Sequence, residues 1–247
     1  MTMLRNNPID GWVGLGVEAQ SAMIFDPMNG EKGKAKLRNN DGKIEVYLQL
    51  KPGESVIIKT FYDDINTEEW HYYSNPTEVV NFSNDWQLYF INSDPIVEES
   101  FDVDTLMSWT DIDNDSLKIN RGTGLYRKTF QFSKTPESEY VLSLGDVRES
   151  ANVRINGKDA GTLYAVPFEI KIGNLLQDGD NTIEIEVTNL PANRIADYDR
   201  RGVDWRIFHE INFVSITYQP TKFDIWHIMP AGLLGPVTIN EISTINL

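Results

Sequence analysis

One period runs through this chain. Ile44, Val46, Leu48 and Leu50 alternate with Glu45, Tyr47 and Gln49. A two-residue repeat turns one face of a pleated strand to a core and the other to water. Short apolar runs punctuated by turn residues recur on either side. Asp26-Pro27-Met28-Asn29-Gly30 follows Ala22-Met23-Ile24-Phe25, and Lys51-Pro52-Gly53-Glu54 separates the alternating run from Val56-Ile57-Ile58. Further strands are expected over residues 86–91, 126–132, 140–144, 151–155, 182–188, 214–218 and 237–239. Asn156-Gly157, directly after Val153-Arg154-Ile155, is the strongest hairpin signal, because a type I′ turn needs positive φ at two successive residues. Gln177-Asp178-Gly179-Asp180-Asn181 marks another turn. No segment carries a sustained apolar period of 3.6. Short strands at regular spacing therefore predict an all-β chain, a sandwich or jelly roll.

Charge divides the chain unevenly. Residues 1–66 hold 8 basic and 9 acidic residues (net −1), whereas 67–247 hold 14 and 28 (net −14). With the polar stretch Tyr62–Glu69 as the joint, this predicts a small β domain over 1–66 and a larger β-sandwich over 67–247. At 247 residues and 40% hydrophobic content the composition is globular, and a sizeable core can be buried. The chain has no cysteine, which excludes a disulfide framework, a thiolate zinc site and a cysteine nucleophile. A pI near 4.6 argues against nucleic acid as a partner, since phosphate binding needs clustered Lys and Arg. No apolar run approaches the roughly 18–20 residues of a membrane span. Met1–Pro8 has no apolar leader core, so no membrane partner and no export signal is expected from the chain as given.

Most catalytic and metal motifs are absent. There is no Walker loop, H-E-x-x-H, G-x-S-x-G or C-x-x-C, and Gly14-Leu15-Gly16 is a lone G-x-G. His71, His209 and His227 lack ligand spacing. Asp111-Ile112-Asp113-Asn114-Asp115-Ser116 superficially resembles a calcium loop. However, Ser116 replaces the glycine at position six and Gly122 the glutamate at position twelve, so a solvated acidic loop is expected there. A structural calcium held at a sandwich edge is the metal the pattern leaves open, and no cofactor is required. Glu149, Glu169 and Glu210 are isolated carboxylates that no motif singles out as a glycosidase pair.

Asn189–Trp205 stands apart, as a long polar stretch rich in Arg, Asp and aromatics that follows a strand. Sugars are bound by such sets, with aromatic faces against C–H patches and planar Asp, Asn and Arg groups on hydroxyls. Its bland alternative is an Arg–Asp network that holds a long loop in place. Trp226-His227 carries the same two readings, while Trp86 and Trp109 read first as core.

Leu144–Thr162, with its V-x-I-N-G hairpin, together with Pro167-Phe168-Glu169-Ile170 and Gly179–Asn189, resembles the galactose-binding-like jelly roll of glycoside hydrolases. The flanks narrow this. Asn189-Leu190, Asn193-Arg194, Glu210–Val214 and Pro230–Val237 resemble the C-terminal end of α-L-rhamnosidases of glycoside hydrolase family 106. Ala22–Gly30 and Leu50–Ser55 resemble the small β domain that precedes the jelly roll there. The resemblance covers nearly the whole chain. It implies a bacterial polysaccharide degrader, periplasmic or extracellular, whose catalytic carboxylates and calcium sit in an upstream barrel. A barrel of that type needs about 250 residues by itself and nothing here reads as one, so no catalytic residue is carried over.

Three functions compete. The first is a non-catalytic carbohydrate-associated region that packs on a catalytic barrel, on another chain if not this one, and extends its glycan site. It predicts an exposed apolar patch. The second is an autonomous module for rhamnose- or galactose-containing plant cell-wall polysaccharide, with Trp109, Arg194, Asp197, Arg201, Asp204, Trp205 and Trp226 as candidate binding residues. The third is a small intact hydrolase that uses sandwich carboxylates.

Overall fold

The computed structural model describes residues 7–206, 217 and 221–247. His209 and Glu210 lie outside the described residues, as does the strand expected over 214–218 except for Thr217. The described chain is all-β, with two short helices.

Six strands come first: β1 (Ile9–Gly14), β2 (Ser21–Phe25), β3 (Lys32–Lys34), β4 (Leu37–Asn40), β5 (Lys43–Leu50) and β6 (Ile57–Phe61). They form two three-stranded sheets, β1-β5-β4 and β3-β2-β6. The alternation in β5 does what its period requires. Val46, Leu48 and Leu50 are buried, and they join Ala22, Ile24, Ala35 and Val56 in one core. Trp70 packs on this core from beyond the polar 62–69 stretch.

The second core lies between two larger sheets. Its strands are β7 (Tyr72–Tyr73), β8 (Thr77–Asn81), β9 (Asn84–Asp94), β10 (Phe101–Thr105), β11 (Arg121–Phe132), β12 (Glu139–Ser143), β13 (Asp146–Arg148), β14 (Ser150–Ile155), β15 (Lys158–Leu163), β16 (Glu169–Lys171), β17 (Gly179–Thr188), β18 (Gly232–Gly235), β19 (Thr238–Ile242) and β20 (Thr244–Ile245). A six-stranded antiparallel sheet, β10-β9-β11-β17-β14-β15, faces a four-stranded one, β16-β12-β19-β8. Leu88, Tyr126, Val153 and Ile185 from the first meet Leu142 and Ile239 from the second, which is sandwich packing. Asn156 (φ 53) and Gly157 (φ 74) make the expected β14–β15 turn.

Where sequence reasoning expected loops, the structure has helices. The acidic stretch forms a 3₁₀ turn, Trp109–Asp111, and the short helix α1 (Asp115–Lys118). Asn114 caps α1 by accepting from Ser116 N, and Asp115 pairs with Lys118. The Asn189–Trp205 stretch contains helix α2 (Ala192–Arg200). Its periodic face is polar, so a search for apolar period passes over it.

Two crossed ion pairs join the cores. Lys51 of the first meets Glu169 of the second, and Lys171 of the second meets both oxygens of Glu31 at 2.8 Å. Gly53, at φ +92, lies against Val166, where a Cβ would strike backbone. Burial pushes the neighbouring Glu54 carboxyl above its ordinary pKa.

A buried polar knot closes the larger sandwich. The Tyr126 hydroxyl accepts from Trp109 Nε1 (2.6 Å) and from Leu233 N (3.1 Å). Trp109 N donates to Ala231 O at 2.9 Å, and Ala231 N to Ser108 Oγ at 3.0 Å. A Cβ on Gly232 (φ +99) would collide with the indole and the phenol together. Trp109 is 0% exposed, which removes it from any sugar-stacking surface. Burial drives the Tyr126 phenol far above its usual pKa, so it stays protonated. Tyr126→Phe keeps the ring and strands two buried donors. Each unsatisfied group costs about 1–3 kcal/mol, so the variant should lose roughly 2–6 kcal/mol of stability. Urea unfolding followed by tryptophan fluorescence tests this, and an unchanged midpoint would refute the knot's role.

Candidate functional site

Helix α2 organises the face that the sequence singles out. Asn189 fixes its approach, since the carboxamide accepts from Gly122 N (2.8 Å) and donates to Asn120 O (2.9 Å). The helix ends on a Schellman motif. Gly202 adopts φ +67, Gly202 N donates to Asp199 O, and Val203 N donates to Tyr198 O.

Residues 194, 197, 198 and 201 recur at helical spacing and share one side of α2. Arg194 reaches Asp94 at the end of β9 (2.6 Å) and Asp197 within its own helix (3.0 Å), and its guanidinium lies 4.5 Å from the Tyr198 ring centroid. Asp94 also accepts from Tyr198 Oη (2.9 Å) and Arg121 Nε (3.0 Å). Asp197 also accepts from Arg201, with Nη2 at 2.7 Å. Both terminal nitrogens of Arg194, one oxygen of Asp197 and the Nε–Nη2 edge of Arg201 are therefore spent within the protein. Within this network Arg194 Nε is buried without a hydrogen-bond partner among the described residues.

The other side of α2 staples the segment after residue 220. Asn193 exchanges two 2.8 Å hydrogen bonds with the backbone of Met229. Arg200 donates to Asp224 O and Trp226 O. Asp199 accepts from Phe223 N (2.8 Å), Trp205 Nε1 (2.7 Å) and Arg206 (3.4 Å). Trp205, Phe223 and Trp226 form a chain of rings with centroids 6.1 and 4.6 Å apart. The outer surface is apolar. Ile225 is 79% exposed, Trp226 42%, and Ile228 and Met229 about half.

The structure thus brings Arg194, Asp197 and Arg201 into one ion network and Trp205 and Trp226 into one aromatic cluster. Asp204 is exposed near the helix end, and Trp109 lies in the core. Sequence reasoning missed Asp94, Tyr198, Asp199 and Phe223. The Arg/Asp/Tyr recurrence at helical spacing was the signal available for Tyr198 alone.

Two carboxylates here, Asp94 and Asp199, are held ionised. The Arg194 guanidinium, supported by Tyr198 and Arg121, holds Asp94 below the usual carboxylate range against the opposing effect of burial. Burial opposes ionisation of Asp199 too, but the Phe223 amide and Trp205 indole outweigh it and lower its pKa. A group held this way is an ion-pair acceptor, poorly matched to general acid work near neutral pH. Glu149 is exposed, and Glu169 is tied to Lys51. Among the described residues, no three His, Asp or Glu side chains are grouped to hold a metal ion, and no helix is long and apolar enough to cross a membrane.

Comparison with known proteins gives a consistent direction. No family model matches the chain. A putative β-glucuronidase of Formosa agariphila is 33% identical over 180 residues, covering 64% of this chain and 15% of that protein. A rhamnosidase from Novosphingobium sp. PP1Y superposes with a TM-score of 0.71 at 23% identity, covering 94% of this chain and 22% of that one. A β-glucuronidase from an uncultured Clostridium sp. gives 0.47 at 19% identity, over 72% of this chain and 30% of the other. The chain thus has a glycoside-hydrolase-related β-sandwich fold, and it spans about a seventh of its curated relative and about a fifth of the rhamnosidase.

Because the folded-state pKa of Asp94 is depressed, the stability it adds is present above its unfolded pKa of about 4 and lost as pH falls through the lower folded value. Protection factors of the α2 amides, which take out the intrinsic pH dependence of exchange, should fall below about pH 4. Asp94→Asn should lower them already at neutral pH and leave little further acid dependence. High protection unchanged by pH in both proteins would count against this role for Asp94.

Proposed function

We propose that this chain is a non-catalytic, carbohydrate-associated region of a rhamnosidase-like glycoside hydrolase, in which residues 1–66 form a small β domain and 67–247 a galactose-binding-like jelly roll. The observation that carries the reading is the match of 94% of this chain to 22% of a rhamnosidase at a TM-score of 0.71. Fold alone does not fix function, so the reading also rests on the site.

Two features of the site support it. The carboxylates around α2 are committed to arginine, tyrosine and tryptophan partners, which suits a scaffold and not an acid–base pair. The Ile225–Met229 surface is the exposed apolar patch expected where a barrel packs. In this reading α2 is the rigid backing that presents the patch, held by Asn193, Asp199 and Arg200. The bacterial, periplasmic or extracellular setting implied by the family resemblance belongs to the same proposal.

The autonomous-module reading has one observation in its favour, the exposed indole of Trp226 beside Phe223. It predicts saccharide affinity that Trp226→Ala removes.

The purified chain should release no aryl alcohol from an aryl α-L-rhamnoside or an aryl β-D-glucuronide above the buffer rate. Turnover that co-elutes with the chain on gel filtration, and survives a second independent purification, would overturn the non-catalytic reading.

A further inference from the structure

A groove of about 610 Å³ opens between the first core and the β7–β20 ladder. It shares no lining residue with the α2 face. Its construction is rigid. Lys34 N donates to Glu68 O at 2.8 Å, and Trp70 N donates to Lys34 O at 2.9 Å, which clamps residues 68–70 onto β3. Gly33 permits the approach, since a Cβ there would meet the Trp70 backbone nitrogen at 2.5 Å. The floor includes Tyr72, whose hydroxyl accepts from Lys36 N (3.0 Å) and donates to Tyr47 O (3.2 Å).

The lining differs from the α2 face in one way: several of its polar side chains are unspent among the described residues. Among the described residues, the side chains of Gln20, His71 and Asn246 make no hydrogen bond, and exposed Lys36 has no carboxylate partner. Lys34 is neutralised by Asp64 at 2.7 Å. Trp70 packs part of its indole on the first core and lines the groove as well, with no ring or cation on its face among the described residues. A fixed aromatic surface beside unspent donors and acceptors is the arrangement that recognises a pyranose. With Lys34 matched by Asp64, Lys36 is the lining ammonium left to meet an anionic group on that sugar, and Glu69 on the same wall restricts where that group can sit.

We infer that this groove binds a uronate-bearing oligosaccharide, with one sugar ring on Trp70 and its carboxylate against Lys36. The inference rests on the glycan-associated reading above and adds to it a ligand class and a place.

The test is a calorimetric and NMR titration of the full chain with two probes. One is an acidic rhamnogalacturonan hexasaccharide and the other a neutral galactan hexasaccharide. Saturable binding of the acidic probe is expected with a dissociation constant of about 1 mM, with the neutral probe several-fold weaker. Lys36→Gln, an exposed change, should erase the difference between probes. Trp70→Ala should weaken both by about tenfold, equivalent to about 1.4 kcal/mol. Trp70→Phe keeps a ring on the core, and should weaken both less should the alanine variant fail to fold. No saturable binding by the wild-type chain would overturn the inference. So would binding that survives Lys36→Gln and Trp70→Phe with its acidic preference intact, or that is lost instead in Trp226→Ala. Aryl glycoside turnover judges the non-catalytic reading separately, so the two can fail independently.

Discussion

Two donors converge on a single phenol oxygen at the centre of the larger sandwich, and much of the chain is arranged so that they can. Trp109 precedes α1, Tyr126 lies in β11, and Leu233 lies in β18, more than a hundred residues after Tyr126. Bringing them together closes the return of the C-terminal strands onto the six-stranded sheet. A buried donor that finds no acceptor is costly, so Gly232 is bare to let the indole pass and Ser108 supplies the acceptor for Ala231 N. Because Ala231 and Leu233 are fixed here, residues 221–230 start from an anchored end, and α2 has something firm to staple.

That stapling explains why the most suggestive stretch of sequence has so few hydrogen-bonding edges left open. Arginine and aspartate side chains bind sugars only if their hydrogen-bonding edges are open. In α2 those edges are closed on Asp94, on the next turn of the helix, and on the backbone of residues 223–229. The network is partly solvent-exposed at Arg201 and Arg121, where ion pairs are worth little. Its inner members, Arg194 and Asp197, are the ones that fix orientation.

Much of the fold was legible in the sequence because period 2 is a strong signal. The 44–50 strand, the Asn156-Gly157 hairpin and the long central strands all follow from alternation and turn chemistry. The helix was not legible, because apolar periodicity is the wrong probe for a helix whose defining face is Arg194, Asp197, Tyr198 and Arg201. Nor was Asp94 readable as their partner, since it lies 100 residues away from Arg194 in sequence and only the sandwich brings them together. Trp109 carries two readings in the sequence, core first and sugar contact second; its complete burial keeps the first, and the acidic stretch around it folds into a short 3₁₀ turn.

The distribution of charge ties these observations to function. Nearly all of the net negative charge lies after residue 66, where many aspartates and glutamates are matched to arginine or lysine in ladders and helix contacts. The first 66 residues are close to neutral. An anionic saccharide approaching this molecule meets repulsion over most of its surface and least over the small sheets, which is also where Lys36 stands without a partner. Long-range charge thus favours the groove beside Trp70 on approach, and short-range hydrogen bonding favours it on arrival, because the side chains of Gln20, Lys36, His71 and Asn246, among the described residues, are not already used to hold the fold.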